Sequence, residues 1–179
     1  GVEQDVSNGW FVGHPINAVY DYEKIGLFQE SDSLEMAELI SGGKPGMIRV
    51  KYTGDYDSIT GLPARRYGPD DRQIMSVEPD FQGGFNTRVA YKGFDLNLVG
   101  AFKKGGMLVS TLYGSVGYLN MHSGRRNNVK IDYWTPENTG ATFPNPEGPY
   151  SGDNPKFAET LAYWDASYLK IHTITLGYT

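Results

Sequence analysis

The chain has 179 residues, among them 23 Gly and 13 Tyr, with 13% aromatic residues, no Cys and a formal net charge of −5. That length suffices for one domain with a core, and the Gly and aromatic content favours strands and turns over helix. An acidic balance gives no support to a nucleic-acid partner. Absence of Cys excludes disulfides and thiolate metal sites. No apolar run approaches the ~18 residues of a membrane helix, a test that a β-barrel escapes because only alternate residues meet lipid.

In chain order, Gly1 to Asp5 is neither a start codon nor a signal peptide, and Ile174 to Thr179 stops inside an alternating pattern. Both ends read as cut from a longer protein. Pro15 to Phe28 reads as an extended strand. The spacing of Leu34, Met36, Ala37, Leu39 and Ile40 predicts a short helix, capped by Ser31 or Ser33 and stopped by Gly42-Gly43. Ile48–Tyr52 reads as a short strand, and Gly54 to Pro79 as a loop rich in Gly, Pro and Asp.

Phe81 to Phe102 carries the clearest pattern. It reads as two strands folded about Lys92-Gly93, pairing Tyr91 with Phe94, Val89 with Leu96, Thr87 with Leu98 and Phe85 with Gly100. One face is apolar; the other carries Asn86, Arg88, Ala90, Asp95, Asn97 and Val99. Each strand has about the 9–11 residues that cross a bilayer at a tilt. A soluble hairpin with one face on a core fits the same alternation. A second irregular region begins at Lys103 and runs through Arg125-Arg126 and Lys130 to Pro155. Those three cations form a basic patch or a solvated loop. In the last strand, Leu169 and Ile171 share one face while Ile174, Leu176 and Tyr178 fall on the other. A β-bulge at His172-Thr173 is therefore predicted. Two loops of roughly 50 residues flanking a tight turn are too long for a compact soluble domain, where about 4–6 is typical. Long loops outside and tight turns inside are the habit of outer-membrane barrels.

Catalytic chemistry is thin. His14, His122 and His172 have no metal-ligand spacing. Asp70-Asp71 has the residue type of a glycosidase carboxylate pair, although a solvated loop or a helix-capping role suits adjacent residues better. Tyr133, Trp134, Tyr150 and Trp164, with Tyr163, are candidates for contact with a substrate or a lid; stacking on sugars, gripping peptides, packing the loop against itself and anchoring a barrel's outer rim all suit them.

Seven short motifs, in order, bear a family resemblance. They are Gly13-x-Pro15-Ile16 with Tyr20-x-Tyr22 and Gly26-Leu27-Phe28-Gln29; Pro45-Gly46-x-Ile48; Asp71-Arg72-x-Ile74; and Pro79-Asp80-Phe81-x-Gly83-Gly84-Phe85. Tyr91-Lys92-Gly93-Phe94-Asp95-Leu96, Tyr133-Trp134-Thr135-Pro136-Glu137-Asn138 and Tyr168-Leu169-Lys170-Ile171 with Ile174 to Tyr178 complete the set. The chain resembles the SusC/RagA type of TonB-linked outer-membrane transporter. The resemblance implies a stretch near the C-terminal end of a plugged barrel of about 22 strands, with the plug domain and final strands lying outside this chain. It implies import of a bulky nutrient, glycan or peptide, across the outer membrane with a SusD-like surface lipoprotein as lid and TonB as energy source. It implies no cofactor. One departure lies between Lys51 and Asp71, where the family has an Asp-Asn-Gly-Asp-Gly type of sequence suited to a cation. Here Asp55 and Asp57 fit two oxygen positions of a calcium loop, Ile59 breaks the third, and Arg65-Arg66 is inserted. A cation site and an Asx-type turn are both open there.

The combined expectation is an all-β fold: an antiparallel transmembrane β-barrel segment of about four strands with two long extracellular loops. The strands are Pro15–Glu23, Phe85–Tyr91, Phe94–Phe102 and Tyr168–Tyr178. Residues 24–80 and 104–165 face outside, the lipid meets the apolar face, and Arg88 and Asn97 line the lumen. The whole of residues 1–179 belongs to one barrel domain, and no enzyme is expected. The rival is a secreted β-sandwich that binds carbohydrate through surface aromatics.

Overall fold

A computed structural model describes residues 4–110, 112–113, 132–145, 150–151 and 154–179, without side chains at 150–151 and 154–155. In chain order the strands are β1 (Gln4–Asp5), β2 (Trp10–Phe11), β3 (Val19–Tyr22), β4 (Lys24–Leu27), β5 (Ile48–Val50), β6 (Arg72–Met75), β7 (Phe81–Tyr91) and β8 (Phe94–Lys104). They continue with β9 (Met107–Val109), β10 (Tyr150–Ser151), β11 (Asn154–Pro155), β12 (Tyr163–Asp165) and β13 (Tyr168–Tyr178). The helix α1 (Ser33–Leu39) lies between β4 and β5. The fold is mostly β with little helix. Among the described residues no helix is long and apolar enough to cross a membrane, which says nothing about crossing by strands.

The chain divides into two compact units. The first comprises 1–18, 76–108 and 164–179 and is built on the antiparallel sheet β13-β8-β7. The hairpin register is the one the alternation predicts: Tyr91 opposes Phe94, Val89 opposes Leu96, Thr87 opposes Leu98 and Phe85 opposes Gly100. Its turn needs left-handed backbone at both central residues, and Lys92 (φ 46°) and Gly93 (φ 84°) supply it. A Cβ at position 93 would also lie 2.6 Å from the Thr179 carbonyl.

The predicted bulge is present. Ile171 opposes Gly100, Thr173 opposes Val99, and His172 has no partner in the β8 ladder. One extra residue keeps Leu169 and Ile171 on the same face as Ile174, Leu176 and Tyr178. That face therefore runs unbroken across the sheet. Apart from Gly100, no residue of the three strands is buried.

The second unit comprises 19–75 and 109–163 and holds the core. Its buried hydrophobic side chains include Phe28, Met36, Leu39, Ile40, Ile48, Val50, Trp134, Phe143 and Leu161. β3 pairs with β6 and β4 with β5, both antiparallel. The helix begins at Ser33, but neither predicted serine caps it; Asp32 precedes it and accepts the Gln29 backbone N–H at 2.9 Å. Met36 and Leu39, three residues apart, bury one helical face. Ile40 returns to extended backbone, and Gly42 (φ 69°) turns the chain.

The expected fourth long strand is a correction. Within Pro15–Glu23 only Val19–Tyr22 is strand, and its partner is Arg72–Met75 rather than the hairpin. Pro15 has no N–H to give a ladder and instead opens a turn, with Ala18 N–H donating to its carbonyl at 3.0 Å. Tyr22 packs its ring on Phe157, 4.7 Å between centroids. The long sheet therefore has three strands among the described residues; the expected helix and short strand are present at Ser33–Leu39 and Ile48–Val50, and the stretch expected as loop from Gly54 to Pro79 contains the strand Arg72–Met75.

Candidate functional site

Two features invite a functional reading: the two-faced sheet and the loop-built body of the second unit. On the sheet, the apolar face carries Val89, Leu96, Leu98, Ile174 and Leu176 in the middle. Aromatic residues bound it at both ends: Tyr91, Phe94 and Tyr178 at the turn, Phe81 and Phe102 opposite. The Phe94 and Tyr178 rings lie 4.7 Å apart, and the Phe81 and Phe102 rings 6.1 Å apart. Two phenylalanines lie over glycines on the opposing strand, Phe85 over Gly100 and Phe102 over Gly83. The Lys92 ammonium sits 5.3 Å from the Tyr91 ring centre.

The opposite face holds the two predicted lumen residues as direct cross-strand partners, Arg88 opposing Asn97. Arg88 Nε also donates to Asp95 Oδ1 at 2.5 Å. Lys103, Lys170, Thr173 and Thr175 share this face by register. His172 sits at the bulge and is exposed.

In the second unit, Trp134 and Tyr133 part company. Trp134 is 3% exposed and donates its indole N–H to Gln29 Oε1 at 2.9 Å. Its side chain is packed inside the second unit. Tyr133 remains exposed at 46%. Trp164, which belongs to the first unit, is half-buried in β12. Tyr163 donates its hydroxyl to Asp21 Oδ2 at 2.5 Å. Burial, then that bond and the negative charges of Asp21 and Glu159, push the phenol above its ordinary range. The Tyr150 side chain, His122, Arg125, Arg126 and Lys130 lie outside the described residues.

Asp71 is the feature the sequence reading underestimated. Its neighbour Asp70 is solvated, whereas Asp71 is fully buried. Its carboxylate accepts from Arg65 Nη1 at 2.7 Å and Nη2 at 3.0 Å, from Thr53 N–H at 2.8 Å and Oγ1 at 2.9 Å, and from Gly68 N–H at 2.8 Å. Burial pushes its pKa up, but the Arg65, Gly68 and Thr53 donors outweigh that and hold it at about 2. The Gly68 bond is a capping role, one of the expected ones; the ion pair of this buried carboxylate with the partly exposed Arg65 was not expected. The inserted Arg65 thus ties three points of its own loop together, stacked 5.1 Å over Tyr52.

Asp57 forms the Asx-type turn. Its Oδ1 accepts from Ile59 N–H at 2.9 Å, Thr60 N–H at 2.7 Å and Thr60 Oγ1 at 3.0 Å. Asp55 contributes its carbonyl, which takes the Tyr52 hydroxyl at 3.1 Å and the Ala64 N–H at 3.0 Å.

No family model matches the chain. The chain is similar to a TonB-dependent receptor. It is 27% identical over 171 residues to TonB-dependent receptor P3 of Formosa agariphila, a match covering 93% of this chain. The chain spans 15% of that relative's length. Motifs scattered over the sequence converge in space: Gln29, Gly46 and Trp134 come from three of them and meet in the second unit. Periodicity alone carried no signal for that meeting.

Proposed function

We propose that the chain is a piece of the wall and external loops of an outer-membrane importer of the SusC/RagA type. It takes up a bulky nutrient, glycan or peptide, with TonB supplying energy and a SusD-like lipoprotein closing the outer side. One observation carries this reading: three adjacent strands of 11 residues expose an unbroken apolar face bounded by aromatic rows. At ~3.3 Å per residue and a barrel tilt, 11 residues match the hydrocarbon thickness. Lipid supplies the apolar contact that a soluble protein would need from a core. The similarity to a TonB-dependent receptor supports the same reading.

In this reading Arg88 and Asn97 face the lumen, and residues 24–80 and 104–165 face outside. The chain catalyses no bond-making step; turnover lost in an Asp71→Asn variant would overturn that. The test of the function is a gene disruption in the native bacterium, followed by fractionation and uptake assays. The full-length protein is expected only in the outer membrane, and uptake of one oligomeric nutrient is expected to vanish both on disruption and on loss of TonB. Recovery of the protein in the soluble fraction would overturn the proposal.

A further inference from the structure

The hairpin of β1 and β2 in the first unit walls a cavity of about 420 Å³ that the import reading does not use. That volume lies in the range of roughly 300–1,000 Å³ in which small molecules bind. The ladder pairs Gln4 with Phe11 and Asp5 with Trp10. Directly opposed residues of an antiparallel pair share a face, so the Asp5 carboxylate and the Trp10 indole stand side by side. Most of the wall is apolar, from Trp10, Phe11, Val12 and Ile16. Phe11 is buried, with the His14 ring edge-on to it at 6.4 Å, whereas Trp10, Val12 and Ile16 are exposed. Exposed apolar side chains gathered around a cavity mark a ligand site. Asp5 is the acidic group of the wall, and no Lys or Arg is among the described residues that form it. Asn8 Nδ2 donates to Asp5 Oδ2 at 2.8 Å, and the Asn8 N–H donates to Oδ1 at 3.1 Å. These bonds hold the Asp5 carboxyl below its ordinary range, so it is charged at neutral pH.

We propose that this cavity binds an organic ammonium group, quaternary or protonated, with Trp10 as its aromatic face and Asp5 as its counter-charge. An indole is the best of the aromatic faces for a cation. A carboxylate beside an apolar wall attracts a cation more strongly than one in open water. Val12 and Ile16 take up the methyl or methylene groups that carry the charge. The two Asn8 bonds set the class of ligand further. Each occupies an acceptor site on one Asp5 oxygen, so Asp5 offers charge rather than a free fork of acceptors. A sugar needs that fork to pair its hydroxyls, and an anion would meet a like charge. The site stands whether or not the protein is an importer, because nothing in it depends on the sheet or on TonB.

The test is calorimetric titration of the purified full-length protein. Choline serves as the quaternary ammonium, and N-acetyl-lysine amide as the protonated amine that a peptide would carry. The controls are methyl glucoside and the neutral analogue of choline, in which a carbon replaces the nitrogen. Choline is expected to bind about tenfold more tightly than its neutral analogue, and Asp5→Asn and Trp10→Leu each to weaken it about tenfold. Asp5→Asn keeps an acceptor for the Asn8 N–H, and Trp10 is exposed, so both variants are expected to fold; if one does not, the other decides. Lysine amide bound with the same dependence on Asp5 and Trp10 extends the site to peptide amines, and choline alone bound so confines it to free quaternary ammonium. Equal binding of choline and its neutral analogue overturns the proposal, as does cation binding that survives both substitutions. Binding of methyl glucoside that is lost in Trp10→Leu makes this a sugar site and overturns it too. So does wild-type protein that binds neither cation.

Discussion

The two units solve the burial problem in opposite ways. The sheet of β7, β8 and β13 has its large apolar side chains on the outside: Val89 at 59%, Ile174 at 68% and Leu176 at 72% exposed. The second unit builds a core, with Phe28 and Val50 fully buried, although Leu34 and Ile59 stay exposed. Composition does not separate them, since both are rich in aromatics and branched side chains. What separates them is the expected solvent. A strand beside lipid gains by leaving its apolar face outward, whereas a body in water must bury its own. The same contrast holds for charge. Asp71 is buried and answered by five donor contacts, whereas Arg88 meets Asp95 on a face left open.

The contrast breaks most readily at Asp71. Asp71→Ala leaves Arg65, Thr53 and Gly68 without their common acceptor, and water screens part of the loss because the Arg65 side chain keeps about a third of its surface exposed. Protease cleavage between residues 51 and 71 of the membrane-embedded receptor is expected to accelerate, with the sheet still inserted; an unchanged cleavage rate would deny Asp71 its role. On the sheet, Ile174→Arg places a charge on the apolar face, which costs about 2–4 kcal/mol at mid-membrane depth. Its neighbour Thr175→Arg points to the other face and is expected to fold normally. Heat-modifiability on gels reads both, and equal behaviour of the two would erase the distinction between the faces.

Acid sharpens the comparison further. The Asp71 pKa is lowered from its ordinary 3.8 to about 2. Its stabilising contribution is complete above about pH 4 and is lost as pH falls through 2. Cleavage in the loop between 51 and 71 by an acid-active protease is expected to rise over that interval in the wild type and to stay flat in Asp71→Ala. The smallest effect is expected from the lumen face. Arg88→Ala with Asn97→Ala leaves the wall intact and alters uptake only by a few-fold; uptake identical to wild type would remove these residues from the lumen.

The sheet was legible because its signals are local. Lys92-Gly93 sets the turn, period 2 sets the register, and the parity break between Ile171 and Ile174 marks the bulge. The helix was legible for the same reason, bracketed by Ser33 and Gly42. The fourth strand was misread because Val19–Tyr22 alternates like a membrane strand but pairs with Arg72–Met75, a partner that alternation cannot name. The Asp71 ion pair was hidden because nothing in Asp70-Asp71 says which carboxylate turns inward; Arg65 was visible only as an insertion. Trp134 was open to substrate contact, loop packing or rim anchoring in the sequence, and only the placement of Gln29 and Gly46 beside it shows it packed.

The decisive measurement is a cysteine accessibility scan of the full-length receptor in intact outer membranes, at positions 88, 97 and 175 on one face and 89, 96, 174 and 176 on the other. This stretch carries no cysteine of its own. A water-soluble maleimide is expected to label 88, 97 and 175 and to spare 89, 96, 174 and 176. Labelling of both sets alike, or of the apolar set alone, would contradict a wall with lipid on one side and water on the other.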